Sequence, residues 1–332
     1  MFKQKNRASL FSVSTLKKSL FLLCAAPLAV MAQEWPVKTI TFLNPFPAGG
    51  GTDAFARPLA AQLTEQMGKQ VIIDNRGGAG GTVGASVAAK AAPDGYTWFI
   101  GATHHTIAPS MYKNLDYDIE KSFIPVAMIA NVPQVLVVNP QKVSARNAKE
   151  FIELMKKNPG KYSYASSGTG GIGHLQTELW KSLAGVFITH IPYRGAGPAL
   201  NDTVAGQVPI IFDNMPSALP FIQTGKLIPI VVAAPQRLTQ LPNVPTFKEV
   251  GLEPVNRMAY YGILGPKNLP KEVVDKVSNG VKKALEDPAV RKRIEDTGSL
   301  IVANTPDQFA AQIKAEFDVY KKVVDAQGLK LD

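Results

Sequence analysis

The stretch KTITFLNPFPAGGGTDAFARPLAAQLTEQM, Lys38 to Met67, decides the fold: a short β-branched run, a Gly/Pro-rich loop, then an amphipathic segment. Lys38 to Leu43 reads as a strand, Asn44 to Asp53 as a loop with Thr52 or Asp53 as cap, and Asp53 to Met67 as a helix. Phe55, Leu59, Leu63 and Met67 recur every four residues, which makes one apolar stripe suited to lie on a sheet.

The same alternation continues outward. Strand-like Val71 to Asp74, helix-like Thr82 to Ala92 and strand-like Tyr96 to Ile100 complete a βαβαβ unit, which favours a parallel sheet covered on both faces. A second series has strands at Val135 to Val138, Tyr162 to Ala165, Phe187 to Ile191, Val208 to Asp213 and Leu227 to Val232. Between them lie helices near Ala148 to Lys157, Ile172 to Leu183, Pro198 to Ala205 and Ser217 to Thr224. A strand at Met258 to Leu264 and helices at Lys271 to Glu286, Pro288 to Thr297 and Thr305 to Ala326 close the molecule, with Pro288 and Pro306 at first-turn positions. Phe123 to Pro140 and Asn256 to Leu264 are expected to cross between the two series. The expectation is an α/β clamshell of two domains, mixed sheets flanked by helices and joined by two crossover strands. Domain 1 takes residues 33–131 and 260–332, and domain 2 takes 132–259.

Lys3, Lys5, Arg7, Lys17 and Lys18 precede an apolar run from Leu20 to Val30, and Val30-Met31-Ala32 offers small residues to a signal peptidase. A cleaved signal peptide over 1–32 and an exported, periplasmic product are expected, since the run falls short of the ~20 residues that span a bilayer. Cys24, the single cysteine, lies inside this segment, so no disulfide or thiol chemistry is expected of the mature chain. Cleavage removes five basic and no acidic side chains, lowering the formal net charge from +10 to +5. No dense Lys/Arg cluster interleaved with aromatics remains, which argues against a nucleic-acid partner.

Candidate site residues gather where strands run into helices. SSGTGGIGH, Ser166 to His174, has the GxGxxG spacing of dinucleotide-binding loops. That reading wants an acid for the ribose about 20 residues on, where the chain has Arg194 and no Asp or Glu. Only a variant with Arg194 on a 2′-phosphate would survive, and export separates the chain from reduced nicotinamide cofactors. What remains is either a helix start packed through glycines or a loop whose amides converge at a helix N-terminus to hold an anion, a carboxylate as well as a phosphate. Ser166, Ser167 and Thr169 add hydroxyl donors to the second alternative. The loops Asn44 to Asp53, Arg76 to Thr82 and Tyr193 to Pro198 repeat the device. No GxSxG or HExxH occurs, and no catalytic residues, cofactor or metal are expected.

PFPAGGGTDAFAR (Pro45 to Arg57), DNRGGAGGTVGA (Asp74 to Ala85), AAPDGYT (Ala91 to Thr97), HIPYRGAGPA (His190 to Ala199) and LPNVPTFKEVG (Leu241 to Gly251) together resemble the Bug family. These are periplasmic solute-binding proteins of tripartite tricarboxylate transporters, and the similarity runs through essentially the whole mature chain. The resemblance implies a type II periplasmic binding protein fold that closes, as a monomer, on a small organic acid gripped by loop amides and ordered waters. It implies delivery to a two-component membrane permease and no chemical turnover. A ligand-sensing module for a membrane sensor kinase is the alternative use of the same site.

Carried over by position, the ligand contacts are Phe46, Pro47, Ala48, Gly49, Gly80, Thr103, His104, Ser166, Ser167, Gly168, Thr169, Arg194, Gly195, Ala196 and Asp213. In the family Asp213 would pair with an amine of amino-acid ligands. Ala102 to Thr106, AlaThrHisHisThr, departs from the family's small polar residues; this argues against a simple amino-acid ligand. An extended backbone would send His104 and His105 to opposite faces, which makes them a poor metal pair; either one of them donates to a ligand carboxylate or both serve structural or solvent-facing roles. Arg194 is read either as a two-pronged partner for a second carboxylate or as a salt-bridging residue at the cleft edge. Phe46 offers a flat wall, Trp98 reads as core, and His174 is a further cleft candidate. The ligand guess that follows is a dicarboxylate, an aromatic one such as terephthalate included.

Overall fold

The computed structural model describes Met1 and residues 35–329; the expected signal peptide and Cys24 lie outside the described residues. In chain order come β1 (Ile40–Asn44), α1 (Gly51–Met67), β2 (Val71–Asn75), α2 (Thr82–Ala89), β3 (Thr97–Ala102), α3 (Thr103–Met111) and β4 (Phe123–Val132). Then follow β5 (Gln134–Val138), α4 (Ala148–Lys157), β6 (Ser163–Ser166), α5 (Ile172–Ala184), β7 (Thr189–Pro192), α6 (Ala196–Val204), β8 (Ile210–Asn214), α7 (Met215–Gln223) and β9 (Ile228–Ala233). The chain ends with β10 (Ala259–Pro266), α8 (Lys271–Glu286), α9 (Pro288–Glu295), β11 (Leu300–Ile301) and α10 (Pro306–Gln327).

Two mixed sheets result, ordered β11-β4-β10-β3-β1-β2 and β7-β6-β8-β5-β9. In the first, β1 runs parallel to β2 and β3, whereas β10 is antiparallel to β3 and β4. In the second, β6 is parallel to β7 and β8, and β5 is antiparallel to β8 and β9. The strands of the βαβαβ unit are parallel as the alternation favours, and the sheets of both halves are mixed, as expected. The strands β4 and β10 follow long connections instead of short βα units, and β5 follows β4 directly.

The first crossing runs from β4 into β5 through Pro133, which has no amide to give a ladder and so ends one strand before the next begins. The second crossing differs from the expectation. All partners of β10 lie in the first sheet, and residues 256–258, outside any strand, bring the chain back.

Burial follows the periodicity. Phe55, Leu59 and Leu63 of α1 are fully buried against the first sheet, together with Val273, Val277, Val281 and Ala284 of α8. At about 1.5–3 kcal/mol for each large apolar side chain, these stripes hold both helices in place. The second sheet is covered on both faces, by Phe151, Met155 and Trp180 on one and by Ala199, Leu200, Ala218 and Leu219 on the other. Trp98 is core, without exposure. Clamped on both faces, each sheet presents its strand-to-helix loops as fixed platforms.

Candidate functional site

The loop after β1 is held from beneath by polar side chains. Helix α1 starts at Gly51 with Gly50 as N-cap and no side-chain cap, so neither Thr52 nor Asp53 caps it from outside. Asp53 acts from the first turn instead. Its Oδ2 accepts from the Gly49 amide at 2.7 Å and from Arg57, and its Oδ1 accepts from Asn44 Nδ2 at 2.9 Å. Asn75 Nδ2 donates to the Phe46 carbonyl at 2.9 Å. These bonds aim Phe46 and Pro47 inward and leave Ala48 and Gly49 at the surface, so the last two line no cavity described here.

In the second half, the loop after β6 rests on histidines. Ser166 Oγ meets His190 Nε2 at 2.6 Å, His174 Nδ1 accepts from the Gly170 amide at 3.3 Å, and the two imidazoles stack at 4.1 Å. Burial, then the neighbouring His174, brings His190 down to about 3, and burial lowers His174 as well. Both rings are neutral at pH 7, as hydrogen-bonding supports for a loop should be. Ser166 is thus a support beneath the loop, and Ser167 and Thr169 face the opening.

The two loop systems meet at glycine. A Cβ on Gly80 (φ +63°) would lie 2.9 Å from the Thr169 carbonyl oxygen, and the space beside Gly168 is bounded by the Gly80 α-carbon. Tyr112 spans the same seam, its hydroxyl donating to the Thr169 carbonyl at 3.1 Å. A cavity of about 220 Å³ opens here, lined by Phe46, Pro47, Gly80, Tyr112, Ser167, Gly168, Thr169, Arg194 and Gly195. Among the described residues the amides of Ser167 and Thr169 find no protein acceptor. Arg194 is exposed at the mouth and makes no ion pair among the described residues, so the salt bridge weighed as one of its roles is absent there.

Behind it lies a second, nearly filled cavity of about 10 Å³, lined by Phe46, Gly51, Thr52, His104, Ser167, Ala196, Asn214 and Tyr261. The N-termini of α1 and α6 both open onto it, neither with a side-chain cap. Thr52 Oγ1 and both ring nitrogens of His104 are buried without a partner. Each such group costs about 1–3 kcal/mol unless something satisfies it.

Three expectations need correction. Residues 103–111 form α3, not an extended segment, so His104 and His105 are successive helical residues, about 100° apart instead of opposed. His105 Nδ1 accepts from the Ala102 amide at 2.9 Å, whereas His104 lies edge-on to Phe46 at 4.9 Å and faces the inner cavity. Burial holds His104 down to about 4 and His105 to about 3. Thr103 is no wall residue; its Oγ1 accepts from the Tyr260 amide at 2.7 Å and ties α3 to β10. Asp213 does not line either cavity. It is buried on β8 beside Tyr261 with Oδ2 unpartnered, and desolvation raises its pKa to about 7. The spacing of motifs gave no sign of Tyr112 or Asn214, because neither lies in a glycine loop. No group of three or more His, Cys, Asp or Glu side chains suited to a metal occurs among the described residues.

A convergence of loop amides and uncapped helix starts between two α/β halves is the geometry of a solute receptor. The sequence model of the tripartite tricarboxylate transporter family receptor matches residues 55–329. The chain belongs to this family. It is 32% identical to the periplasmic binding protein BugD over 89% of this chain and 99% of that one, with a TM-score of 0.86. Rpa4515 of R. palustris, solved with adipate, is 32% identical over 89% of this chain and 98% of its own, with a TM-score of 0.85. MatC from Rhodopseudomonas palustris, with bound malate, is 33% identical over 87% and 99%, with a TM-score of 0.83. Family membership makes the chain a periplasmic solute receptor, not an enzyme, and its fold is the two-domain clamshell of these proteins. No helix among the described residues is long and apolar enough to cross a membrane.

Proposed function

We propose that the chain captures a small organic acid in the inner cavity and outer cleft and delivers it to a two-component membrane permease by closing its two halves. The observation that supports this most is the meeting of Thr52 Oγ1, the two His104 nitrogens and the starts of α1 and α6 on one closed space. Unpaired donors and positive helix ends together favour an anionic oxygen acceptor. Adipate in Rpa4515 and malate in MatC are acids of this kind. An inner space of about 10 Å³ holds about one water and no carboxylate. Entry of an acid therefore requires the halves to part, and re-closure around it supplies the contacts that favour the closed form. The outer cavity, with Phe46 as wall and Arg194 at its mouth, suits the rest of a dicarboxylate, an aromatic one such as terephthalate included.

A thermal-shift screen of mono-, di- and tricarboxylates tests the reading, since a ligand at 100 times its Kd adds about 2.7 kcal/mol of stability. With the acid so found, Ser167→Ala combined with Thr169→Ala weakens binding at least tenfold at an unchanged melting temperature of the ligand-free protein. Unchanged affinity by calorimetry sinks the assignment of this loop.

A further inference from the structure

His104 is unusual among the buried polar side chains because both of its ring nitrogens lack partners. His105, His174 and His190 each use at least one nitrogen in a hydrogen bond. The His104 ring is gripped from both halves: Phe46 lies edge-on at 4.9 Å, and a Cβ placed on Gly171, the N-cap of α5, would stand 2.8 Å from Nε2. Its neighbours decide its charge. On α3 the adjacent titratable group is His105, held to the Ala102 backbone. From β10 comes Tyr261, and from β8 Asn214 with Asp213 beyond it. From α1 comes Thr52, while Asp53 is engaged by Asn44, Asn75, Gly49 and Arg57. From α5 the ring faces the positive end of a helix whose own His174 points to His190. With no anion in hydrogen-bonding reach and a helix start alongside, the ring stays neutral.

A carboxylate in the inner cavity reverses these terms. It only accepts hydrogen bonds, so beside a neutral imidazole it can pair with the N–H and is repelled by the lone-pair nitrogen. A protonated ring removes the repulsion and adds a charge-assisted bond in a space closed to water. We propose that His104 takes a proton from solvent as the ligand carboxylate seats, so that the receptor captures its acid together with one proton. The inference rests on the organic-acid reading above.

The sign follows from burial. The free ring, held down to about 4, carries no proton at neutral pH, and an opposing charge within about 4–6 Å raises such a group by 1–3 pKa units. Between the raised and the free value the complex holds more protons than the free protein, so affinity increases as pH falls, approaching tenfold per pH unit at full uptake. Calorimetric titration of the purified protein with malate, adipate and terephthalate at pH 6.0, 6.5 and 7.5 reads this directly. With the ring raised by two to three units, the expected result is roughly two- to eightfold tighter binding at pH 6.0 than at pH 7.5. PIPES and Bis-Tris buffers at pH 6.5 should give binding enthalpies that differ by the amount for net proton uptake. His104→Gln should weaken binding and abolish the buffer dependence of the binding that remains, whereas Asp213→Asn should retain it. Should His104→Gln not fold, the imidazole ¹³C shifts of the wild-type protein must show one histidine becoming protonated on ligand addition. Binding without proton uptake, or uptake that survives His104→Gln and vanishes in Asp213→Asn, overturns the inference alone. Failure of all three acids to bind overturns it together with the reading on which it rests.

Discussion

Gly171→Ala isolates closure from folding. Gly171 has φ −75° and ψ 164°, a backbone that any residue adopts, so alanine brings no conformational strain of its own. Its methyl group meets a side chain of the opposite half: His104 Nε2 at 2.8 Å and Cδ2 at 2.9 Å. Those are ring atoms packed edge-on against Phe46, with little freedom to retreat. Overpacking of this kind costs about 1–3 kcal/mol, and the clash with the ring exists only when the halves are together. The parted form keeps only the milder contact of the methyl group with the Gly168 carbonyl oxygen of its own loop, at 3.2 Å. Calorimetry with an acid found by the thermal screen should therefore show Kd raised about 5- to 150-fold, while the melting temperature without ligand stays within a degree or two. Affinity equal to wild type would refute the argument that binding and the contact between α3 and the start of α5 form together. A large fall in the ligand-free melting temperature would place the cost in folding.

Two further outcomes follow from the same geometry. Tyr112→Phe deletes the hydroxyl that donates to the Thr169 carbonyl across the seam; at about 0.5–1.5 kcal/mol it should weaken binding roughly two- to tenfold, measured by calorimetry. Asp213→Asn concerns stability. The folded pKa of about 7 stands above the ordinary 3.8, so the wild-type protein loses stability as pH rises from about 4 to 7 and the burial cost is then fully present. The variant should be more stable at pH 8 by about 4 kcal/mol, a difference that shrinks toward pH 4 in urea melts. A difference independent of pH contradicts the buried charge.

Helices with one dry face were legible in the sequence. Val273, Val277 and Val281 announce α8 over the very residues it occupies, because a polar face remains to set off the stripe. Helix α3 had no such contrast. Thr103 to Ala108 are all buried, so no period distinguishes inside from outside, and the β-branched residues and Pro109 argue locally against a helix. That one omission misplaced His104 and His105 on opposite faces of a strand. The glycine loops were readable because left-handed backbone and close approach demand glycine. The supports beneath them were not, since His190 reaches Ser166 and His174 only through the parallel pairing of β6 and β7. Thr103 likewise finds its partner 157 residues away, at Tyr260.

The seam between Gly80 and Gly168 has a consequence beyond the pocket. Where backbone abuts backbone, the final spacing is set by the width of the peptide chain and not by the occupant. Ancestral changes at His104, Phe46 or Arg194 can then swap one nutrient for another without reshaping the outside of the shut molecule. A membrane partner that docks on that exterior would meet the same contour whatever cargo lay inside.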